Sequence, residues 1–384
     1  MSATTPSAKR LRLILQILWV FLMVIGAYGV YQRFAYGHLP AGYGSYVPWG
    51  LWVAFYFHGV GIAGGAFAIG ALGFILEWPG FKSRAALRTA IIISAAGILP
   101  AFLGVWLDLG HMDRSHYIFT RASFTSMMAF NAWMYSIYLV IAIAAWVLSF
   151  RDDKQWLKPL ICLAAMFCVL FPSQSGAFFG VVDAKPFWHS ALLPMMFLTS
   201  AVAAGSATLL MVRMIGGALH LADWDEGVQE DYQLAVRRLR MICLVSVGVY
   251  FLFEFAEFSI VMWSPFSHAP ALELVLFGPY WWVFWIVHLL LGGIVAFALL
   301  ASRKPAAWAW GGLIVAICFI SARLNVLVPG QAIGEIKGLQ EAFHHERLQY
   351  IYNATPMEYY VGAFMIGLAM LIFVLGEWIS SLLA

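Results

Sequence analysis

Ten long apolar runs constrain this chain more than any other feature of its sequence. A helix needs about 20 mostly apolar residues to cross the hydrocarbon core of a bilayer, and each run approaches that length. Because 63% of the residues are hydrophobic and only 11% are charged, the composition fits a membrane protein and not a soluble domain. We predict an all-α integral membrane protein with ten transmembrane helices. The runs cover residues 11–31, 49–77, 86–106, 128–150, 157–180, 188–214, 239–263, 277–301, 306–326 and 357–382.

A weak internal repeat predicts how the ten spans are grouped. The second and sixth spans both begin with Trp near a Pro and carry a patch of small residues at a similar depth, at 63–65 and 203–205. Small residues allow helix backbones to approach closely in lipid. We therefore predict two four-helix bundles, formed by spans 2–5 and spans 6–9, with spans 1 and 10 outside them. The corresponding parts of the chain are residues 1–48, 49–187, 188–326 and 327–384.

The distribution of Lys and Arg predicts the orientation of the chain in the membrane. Of the 22 Lys and Arg residues, 15 fall on the side that carries both termini and 7 on the opposite side. Short loops rich in Lys and Arg favour the cytoplasmic side. We expect a multi-pass protein of the bacterial inner membrane with both termini in the cytoplasm. The net charge of +3 is small and scattered, so we expect no nucleic-acid partner.

A group of ionisable residues follows the third span, at the predicted periplasmic end. Asp108 and His111 lie three residues apart in the sequence PAFLGVWLDLGHMDRSHYIFTR, which covers 100–121. A quinone needs a flat, partly aromatic slot, a hydrogen-bonding group for each carbonyl and a route for two protons. We predict that Asp108 and His111 contribute to such a site. The alternative is that Asp108 forms a salt bridge with Arg114 that only fixes the loop.

Three other spans are predicted to present polar or aromatic side chains near the same site. The second span contributes His58, about nine residues from its start, while the fifth span ends with Ser173 and Gln174. Trp188 stands at the start of the sixth span. We predict that these four side chains contact the quinone, and for each of them a packing role is the alternative.

Ionisable residues deep within spans are costly in a membrane and are candidates for function. Glu254 and Glu257 share one face of the seventh span, and His288 lies within the eighth. Two carboxyl groups so placed do not both ionise readily, so one of them is expected to hold a proton. We predict a proton-transfer path through Glu254, Glu257, His288 and Arg323. A helix–helix hydrogen bond in the bundle core is the alternative.

The sequence gives little support for a metal centre in this chain. Its four cysteines lie in apolar runs without a Cys-x-x-Cys pair, whereas an iron–sulfur cluster needs about four thiolates in one place. His58 and His288 are the only histidines deep within spans, so at most one bis-histidine haem site is available. We therefore expect neither haem nor an iron–sulfur cluster here, and no metal site.

Four segments, in order along the chain, resemble a known family. They are DLGHMDR at 108–114, SQSGAFFGVVDAKPFWHSALLPMMFLTSAVAAGSATL at 173–209, RLNVLVPG at 323–330, and the stretch from Tyr352 to Glu358. Together they resemble the NrfD/PsrC superfamily of membrane quinone-reactive subunits. The similarity is greatest to its ten-span branch, which occurs in hydrogenase (HybB-like) and sulfite-reduction-associated (DsrP-like) complexes.

The resemblance implies two four-helix bundles without haem and a menaquinone or ubiquinone site near the periplasmic face. It also implies a periplasmic iron–sulfur ferredoxin-like partner and further redox subunits, such as a multi-haem cytochrome, a molybdopterin enzyme or a hydrogenase. Asp108 and His111 match the family's acidic turn, and His58 resembles its pocket histidine. The sequence departs from the family where His111 and Met112 replace a common Arg-Pro, and where Ser173 replaces a histidine. We therefore expect the quinone contacts to be distributed differently, with a larger role for His58.

These observations favour the membrane quinone-binding subunit of a respiratory oxidoreductase complex, catalytic only with its partners and coupled to proton transfer if the buried acids conduct. A secondary transporter is one alternative, although transporter repeats are often inverted and this apparent repeat is parallel. A purely structural membrane anchor for a redox enzyme is the other alternative.

Overall fold

The computed structural model describes residues 6–383 except 152–154, 222–223, 264–268, 337, 343–344 and 346–347. Among these residues, ten helices are long and apolar enough to cross a membrane, which confirms the predicted all-α membrane fold. The ten spans are α1 Pro6–Tyr36, α2 Leu51–Ile75, α3 Arg84–Asp108, α4 Met127–Leu148, α5 Leu157–Gly180, α6 Leu193–His220, α7 Glu226–Trp263, α8 Val283–Ala301, α9 Pro305–Gln331 and α10 Pro356–Leu383.

Four helices, α1, α6, α7 and α9, extend by at least five residues beyond the predicted apolar runs. The α7 helix begins at Glu226 and not near residue 239, because its first turns are polar on one side and bury Tyr232 and Val236 on the other. The α9 helix continues to Gln331, five residues past its predicted end, although Pro329 lies within it. Residues 327–331 are buried in the protein, so packing stabilises a last turn that contains Pro329 and Gly330.

The α8 and α9 spans are not uniform α-helices. Residues Val283–Val295 of α8 form a π-helix, and α-helical geometry returns at Ala296–Ala301. The α9 span consists of the helices Pro305–Cys318 and Ile320–Gln331, which meet at Phe319. In the connection before α10, the described residues include the short helix Leu339–Ala342.

The α2 helix lies at the centre of the packing, with 78% of its most apolar window buried. It contacts α3, α5, α6 and α9, and it also touches α10. The α1 helix packs mainly on α10, which in turn packs on α3. Because α2 contacts helices from both predicted groups, the division into two four-helix bundles stays a prediction.

The two patches of small residues that suggested an internal repeat pack directly against each other. A methyl group added to Gly65 would overlap the carbonyl of Ala201, and one added to Gly205 would overlap the backbone of Gly65 and Ala66. Only glycine allows α2 and α6 to approach so closely, which explains the composition of both patches.

The first turn of α2 lies inside the protein, and side chains from distant segments satisfy its backbone. The Trp49 amide donates to Gln331 Oε1 at 3.0 Å, and Gln331 Nε2 donates to the Trp49 carbonyl at 3.0 Å. The Leu51 amide donates to the Tyr352 hydroxyl at 2.7 Å. Helix N-termini leave several N–H groups without intrahelical partners, so these bonds fix the start of α2 against α9 and the α9–α10 connection.

We predict that Gly205→Ala lowers the thermal midpoint of the purified protein in detergent, because the added methyl group overlaps α2. Overpacking of this kind costs about 1–3 kcal/mol. Gly216→Ala in the same helix is the matched control, since a methyl group there meets no atom within 4 Å of the described structure. Equal midpoints for the two variants would show that the α2–α6 contact is not tight.

Candidate functional site

Asp108 is the last residue of α3 and has an unusual environment. Its Oδ1 atom is buried and has no hydrogen-bond partner among the described residues. Arg33 of α1, Tyr43 of the α1–α2 connection and Glu358 of α10 are its charged and polar neighbours. A buried oxygen without a donor is unfavourable by about 1–3 kcal/mol, so this atom is a candidate acceptor for a bound molecule.

Arg33 joins the end of α3 to the α1–α2 connection. Its buried guanidinium donates from Nε to the Leu107 carbonyl at 2.6 Å and from Nη2 to the Leu109 carbonyl at 2.8 Å. Nη2 also lies 2.8 Å from His38 Nε2, while His38 Nδ1 is hydrogen-bonded to the Tyr43 hydroxyl. The positive charge at the C-terminus of α3 is favourable both for the free carbonyls and for the helix dipole.

The side chains of His38 and Tyr43 are held in their neutral forms. Burial and the charge of Arg33 lower the pKa of His38, and the Leu109 carbonyl, 3.4 Å from Nε2, opposes them only in part because it can accept from this ring only when Nε2 is protonated. Burial, with the negative charges of Asp108 and Glu358, raises the pKa of Tyr43. At neutral pH the imidazole is therefore uncharged and the phenol keeps its proton.

Glu358 connects the same region to α10. Its carboxylate is fully buried; Oε1 accepts a hydrogen bond from the Gly42 amide at 2.6 Å, and Oε2 accepts one from the Tyr352 hydroxyl. Trp52 Nε1 donates to the Glu358 carbonyl at 3.1 Å. We refer to the side chains that meet at this end of the protein as the Asp108 cluster. Its members are Arg33, His38, Tyr43, Asp108, Tyr352 and Glu358.

His111 does not join the Asp108 cluster. Its side chain is 69% exposed, and its Nδ1 lies 3.9 Å from the carboxylate of Asp113. Arg114 also lies 3.9 Å from Asp113, so the structure does not show the alternative Asp108–Arg114 salt bridge. A role for His111 at a quinone site stays a prediction, and its exposure suits a contact at the surface.

Ser173 and Gln174 lie near the end of α5 and are partly exposed. Neither side chain makes a hydrogen bond within the part of the chain that the structure describes. The neighbouring Ser175 does so, since its hydroxyl lies 2.8 Å from that of Tyr135 and donates to the Phe171 carbonyl at 2.8 Å. The quinone contacts of Ser173 and Gln174 therefore stay a prediction.

His58 lies deeper than Asp108 and contacts other residues. Its Nε2 is 2.7 Å from the Ala316 carbonyl of α9, and the ring is buried. The next residue, Gly59, packs on Gly97 and Ala101 of α3. Asp108 follows Ala101 by seven residues, so the two levels differ by roughly 10 Å or more along the helix axis. The structure therefore separates His58 from Asp108, although the sequence suggested one site.

Trp188 packs within an aromatic group. Its Nε1 donates to the Val326 carbonyl at 2.7 Å, and its ring stacks on Trp49 with centroids 6.2 Å apart. The same ring meets Phe179 edge-on and contacts Gly330. These bonds join the start of α6 to α9, which corresponds to the packing alternative; a quinone contact stays a prediction.

A second buried polar group centres on His288. Nε2 of this fully buried ring lies 3.0 Å from Glu254 Oε1, and Nδ1 lies 2.9 Å from the Ser321 hydroxyl. The Tyr250 hydroxyl donates to Glu254 Oε1 at 3.0 Å, and the Ser321 hydroxyl donates to the Cys318 carbonyl. These four side chains, from α7, α8 and α9, form what we call the Glu254 cluster: Tyr250, Glu254, His288 and Ser321.

The geometry of the Glu254 cluster fixes the position of one proton. Because the Ser321 hydroxyl already donates to a carbonyl, it accepts from Nδ1–H of His288. The contact between Nε2 and the Glu254 carboxyl group then needs a proton on one of the two partners. This proton lies either on the carboxyl group or on the imidazole, so the pair can exchange it without moving any heavy atom.

The other predicted proton-transfer residues lie beside this cluster. Glu257 is buried, and its Oε2 accepts from the Ser190 hydroxyl at 2.7 Å. Arg323 donates from Nη2 to the Phe197 carbonyl at 3.2 Å, and its guanidinium lies 3.9 Å from the Phe197 ring. Its buried Nε has no partner among the described residues. Arg323 interacts electrostatically with His58 of α2 and with Tyr250 of the Glu254 cluster, so it is a neighbour of both.

Sequence reasoning missed most members of the Asp108 cluster. It assigned no site role to Arg33, His38 or Tyr43, and it used Tyr352 and Glu358 only as part of a family-like segment. One signal was present, because Arg33 and Glu358 are isolated charges at the ends of apolar runs on the same side as Asp108. Among the described residues, no three His, Cys, Asp or Glu side chains lie close enough to hold a metal ion.

We predict that Tyr352→Phe lowers the thermal midpoint in detergent, because it removes a donor to Glu358 and an acceptor for the Leu51 amide. Each unsatisfied buried group costs about 1–3 kcal/mol. Tyr359→Phe, at a half-exposed position in the first turns of α10, is the control. Unchanged stability of Tyr352→Phe would mean that water replaces the hydroxyl.

Comparison with known proteins gives a family match over most of the chain. Residues 41–335 match the sequence model of a family described as polysulphide reductase, NrfD. This family match covers eight of the ten spans, α2 to α9, and includes Tyr43, His58 and Asp108. One relative, a selenate reductase subunit of Mesobacillus selenatarsenatis, is 25% identical to this chain, over 92% of it and 90% of that protein.

The names of two further relatives mention a quinol or a quinone. The Hdr-like menaquinol oxidoreductase integral membrane subunit of Archaeoglobus fulgidus is 26% identical, over 89% of this chain and 87% of that protein. The menaquinone reductase integral membrane subunit of Nitratidesulfovibrio vulgaris is 25% identical, over 60% of this chain and 59% of that protein. All three relatives are subunits by name.

Proposed function

We propose, on the premise that the chain belongs to the NrfD polysulphide reductase family, that it is the membrane quinone-binding subunit of a respiratory oxidoreductase complex. The observation that carries this proposal is similarity over 89% of the chain to an integral membrane subunit named as a menaquinol oxidoreductase. The ten apolar spans are consistent with a substrate that dissolves in the bilayer.

The Asp108 cluster is the best candidate for the quinone headgroup site. Asp108 Oδ1 is buried without a donor, as expected for an atom that accepts a hydrogen bond from a quinol hydroxyl. Tyr43 and Trp52 supply aromatic rings beside it, with centroids 5.9 Å apart and planes at 72°. When bound, menaquinone or ubiquinone supplies two-electron, two-proton chemistry. Asp108 then takes a proton. Before it does so, the positive charge of Arg33 balances the negative charge of its carboxylate.

We further propose that a redox partner docks at the end of the protein where Asp108 lies. A quinone exchanges two electrons, so it needs a neighbouring carrier, for which an iron–sulfur ferredoxin-like subunit is suited. The excess of Lys and Arg on the opposite side favours a periplasmic position for this end and cytoplasmic positions for both termini. Further redox subunits, such as a multi-haem cytochrome, a molybdopterin enzyme or a hydrogenase, would complete the electron path.

The Glu254 cluster is a candidate for proton transfer within the membrane. His288 and Glu254 share one proton across 3.0 Å, and Tyr250 offers a second donor to the same carboxyl group. Arg323 extends the polar region toward His58, and Glu257 extends it toward Ser190. These contacts support a role in moving or storing a proton, in addition to their role in joining helices.

We predict that Asp108→Asn slows electron entry from menadiol, a soluble naphthoquinol, into the redox centres of the purified complex by about 100-fold, because a positioned base is lost. Stopped-flow absorbance of those centres measures the rate. Asp113→Asn is the control, since Asp113 is exposed five residues further along the chain.

A wild-type rate in Asp108→Asn would contradict the assignment of this site and favour the structural-anchor alternative. A complete lack of reduction by menadiol in the wild-type complex would contradict the quinone function itself. Retention of a radiolabelled short-chain menaquinone by the complex gives an independent measure of binding in each variant.

We predict that Glu254→Gln lowers the number of protons released per electron when proteoliposomes containing the complex oxidise menadiol. The amide cannot share the proton with His288, although it preserves the size of the side chain. A pH-sensitive dye outside the vesicles measures proton release, and the exposed Glu273→Gln is the control. If both turnover and proton release stayed unchanged, the proton-transfer role of Glu254 would be wrong.

A further inference from the structure

The hydrogen bonds that lead from Arg33 through His38 and Tyr43 toward Asp108 have a fixed direction. A guanidinium can only donate, so His38 Nε2 accepts from Arg33 Nη2 across 2.8 Å. The proton of the neutral imidazole then resides on Nδ1, which donates to the Tyr43 oxygen. Because that oxygen accepts a hydrogen bond from His38, the Tyr43 hydroxyl is left to donate its own proton elsewhere. The Asp108 carboxylate lies within its hydrogen-bonding reach.

We propose that Arg33, His38 and Tyr43 form a one-directional hydrogen-bond chain that favours the ionised form of Asp108, so that Asp108 is ready to accept a proton from a quinol. His38 and Tyr43 are then positioning residues that act through Asp108. This inference rests on the proposed function, and it adds residues from α1 and the α1–α2 connection to the site.

This hydrogen-bond chain favours the ionised form of Asp108 and does not carry away the proton that Asp108 accepts. As one quinol O–H bond breaks, Asp108 Oδ1 forms the new O–H bond, and one electron passes to a one-electron centre of the iron–sulfur class on the partner. The proton cannot continue to His38, because Nδ1 of the ring already holds a proton and Nε2 faces the Arg33 guanidinium. It therefore leaves Asp108 by another route.

The charged and titratable groups around Asp108 come from three segments. Arg33 of α1 favours the carboxylate, and Glu358 of α10 opposes it. His38 and Tyr43 of the α1–α2 connection are neutral, as described above. Glu358 is already satisfied by the Gly42 amide and the Tyr352 hydroxyl, so its influence on Asp108 is through charge alone. The Tyr43 hydroxyl is therefore the neutral donor whose removal leaves the surrounding charges unchanged.

The test is the pH dependence of electron entry from menadiol in the intact complex. The rate falls as the pH drops and Asp108 becomes protonated. Tyr43→Phe removes a hydrogen bond to the carboxylate, so the pH of half-maximal rate should rise by about one unit. Tyr36→Phe, at an exposed position before the same connection, should leave the profile unchanged.

Two substitutions of His38 provide a second readout. His38→Gln keeps an acceptor for Arg33 and a donor for Tyr43, so its profile should stay close to that of the wild type. His38→Leu loses both and should shift the profile in the same direction as Tyr43→Phe. If His38 had only a structural role, His38→Gln and His38→Leu would not differ in the pH of half-maximal rate.

The possible results are distinguishable. Superimposed profiles for the wild type, Tyr43→Phe and His38→Leu would overturn the inference and leave the quinone function standing. An equal loss of rate at every pH would also overturn it, in favour of a packing role. A wild-type complex that menadiol does not reduce would overturn both proposals.

Discussion

Close backbone contact between α2 and α6 is the interaction on which the rest of the structure depends. Gly65 and Gly205 allow the two helices to touch without intervening side chains, which places α2 in the interior. Helices in lipid gain little from the hydrophobic effect between them, so packing and hydrogen bonds must supply the association. Once α2 is buried, its first turn needs partners from Gln331 and Tyr352, and this need fixes α9 and the start of α10.

The need to pair buried polar groups explains the chemistry of both the Asp108 cluster and the Glu254 cluster. Buried polar atoms in a membrane are expected to be paired within the protein. Most of them are, as in the bonds of His288 to Glu254 and Ser321. Asp108 Oδ1 and Arg323 Nε are exceptions among the described residues. The first lies at a helix end near the surface, which suits an exchangeable substrate, and the second lies between polar groups deep in the protein.

The sequence was sufficient for the membrane fold because hydropathy over about 20 residues is a local property. It located Asp108, the Glu254–His288 pair and the small-residue patches for a similar reason, since each is rare within apolar segments. The composition of the Asp108 cluster could not be predicted in this way. Gly42 meets Glu358 across 316 positions of the chain, and no local pattern encodes such a contact. The depth of His58 relative to Asp108 also depends on how α2 and α3 pack, which no local pattern encodes.

The pairing of α1 with α10 has a consequence for how the protein is made. Arg33, His38 and Tyr43 leave the ribosome long before Tyr352 and Glu358. The two halves of the Asp108 cluster can therefore meet only after α10 has entered the bilayer. During biosynthesis, the early half must stay unfinished while eight other spans are inserted. A chain that stops before α10 lacks the carboxylate that holds Gly42, so the site is complete only once α10 has been made.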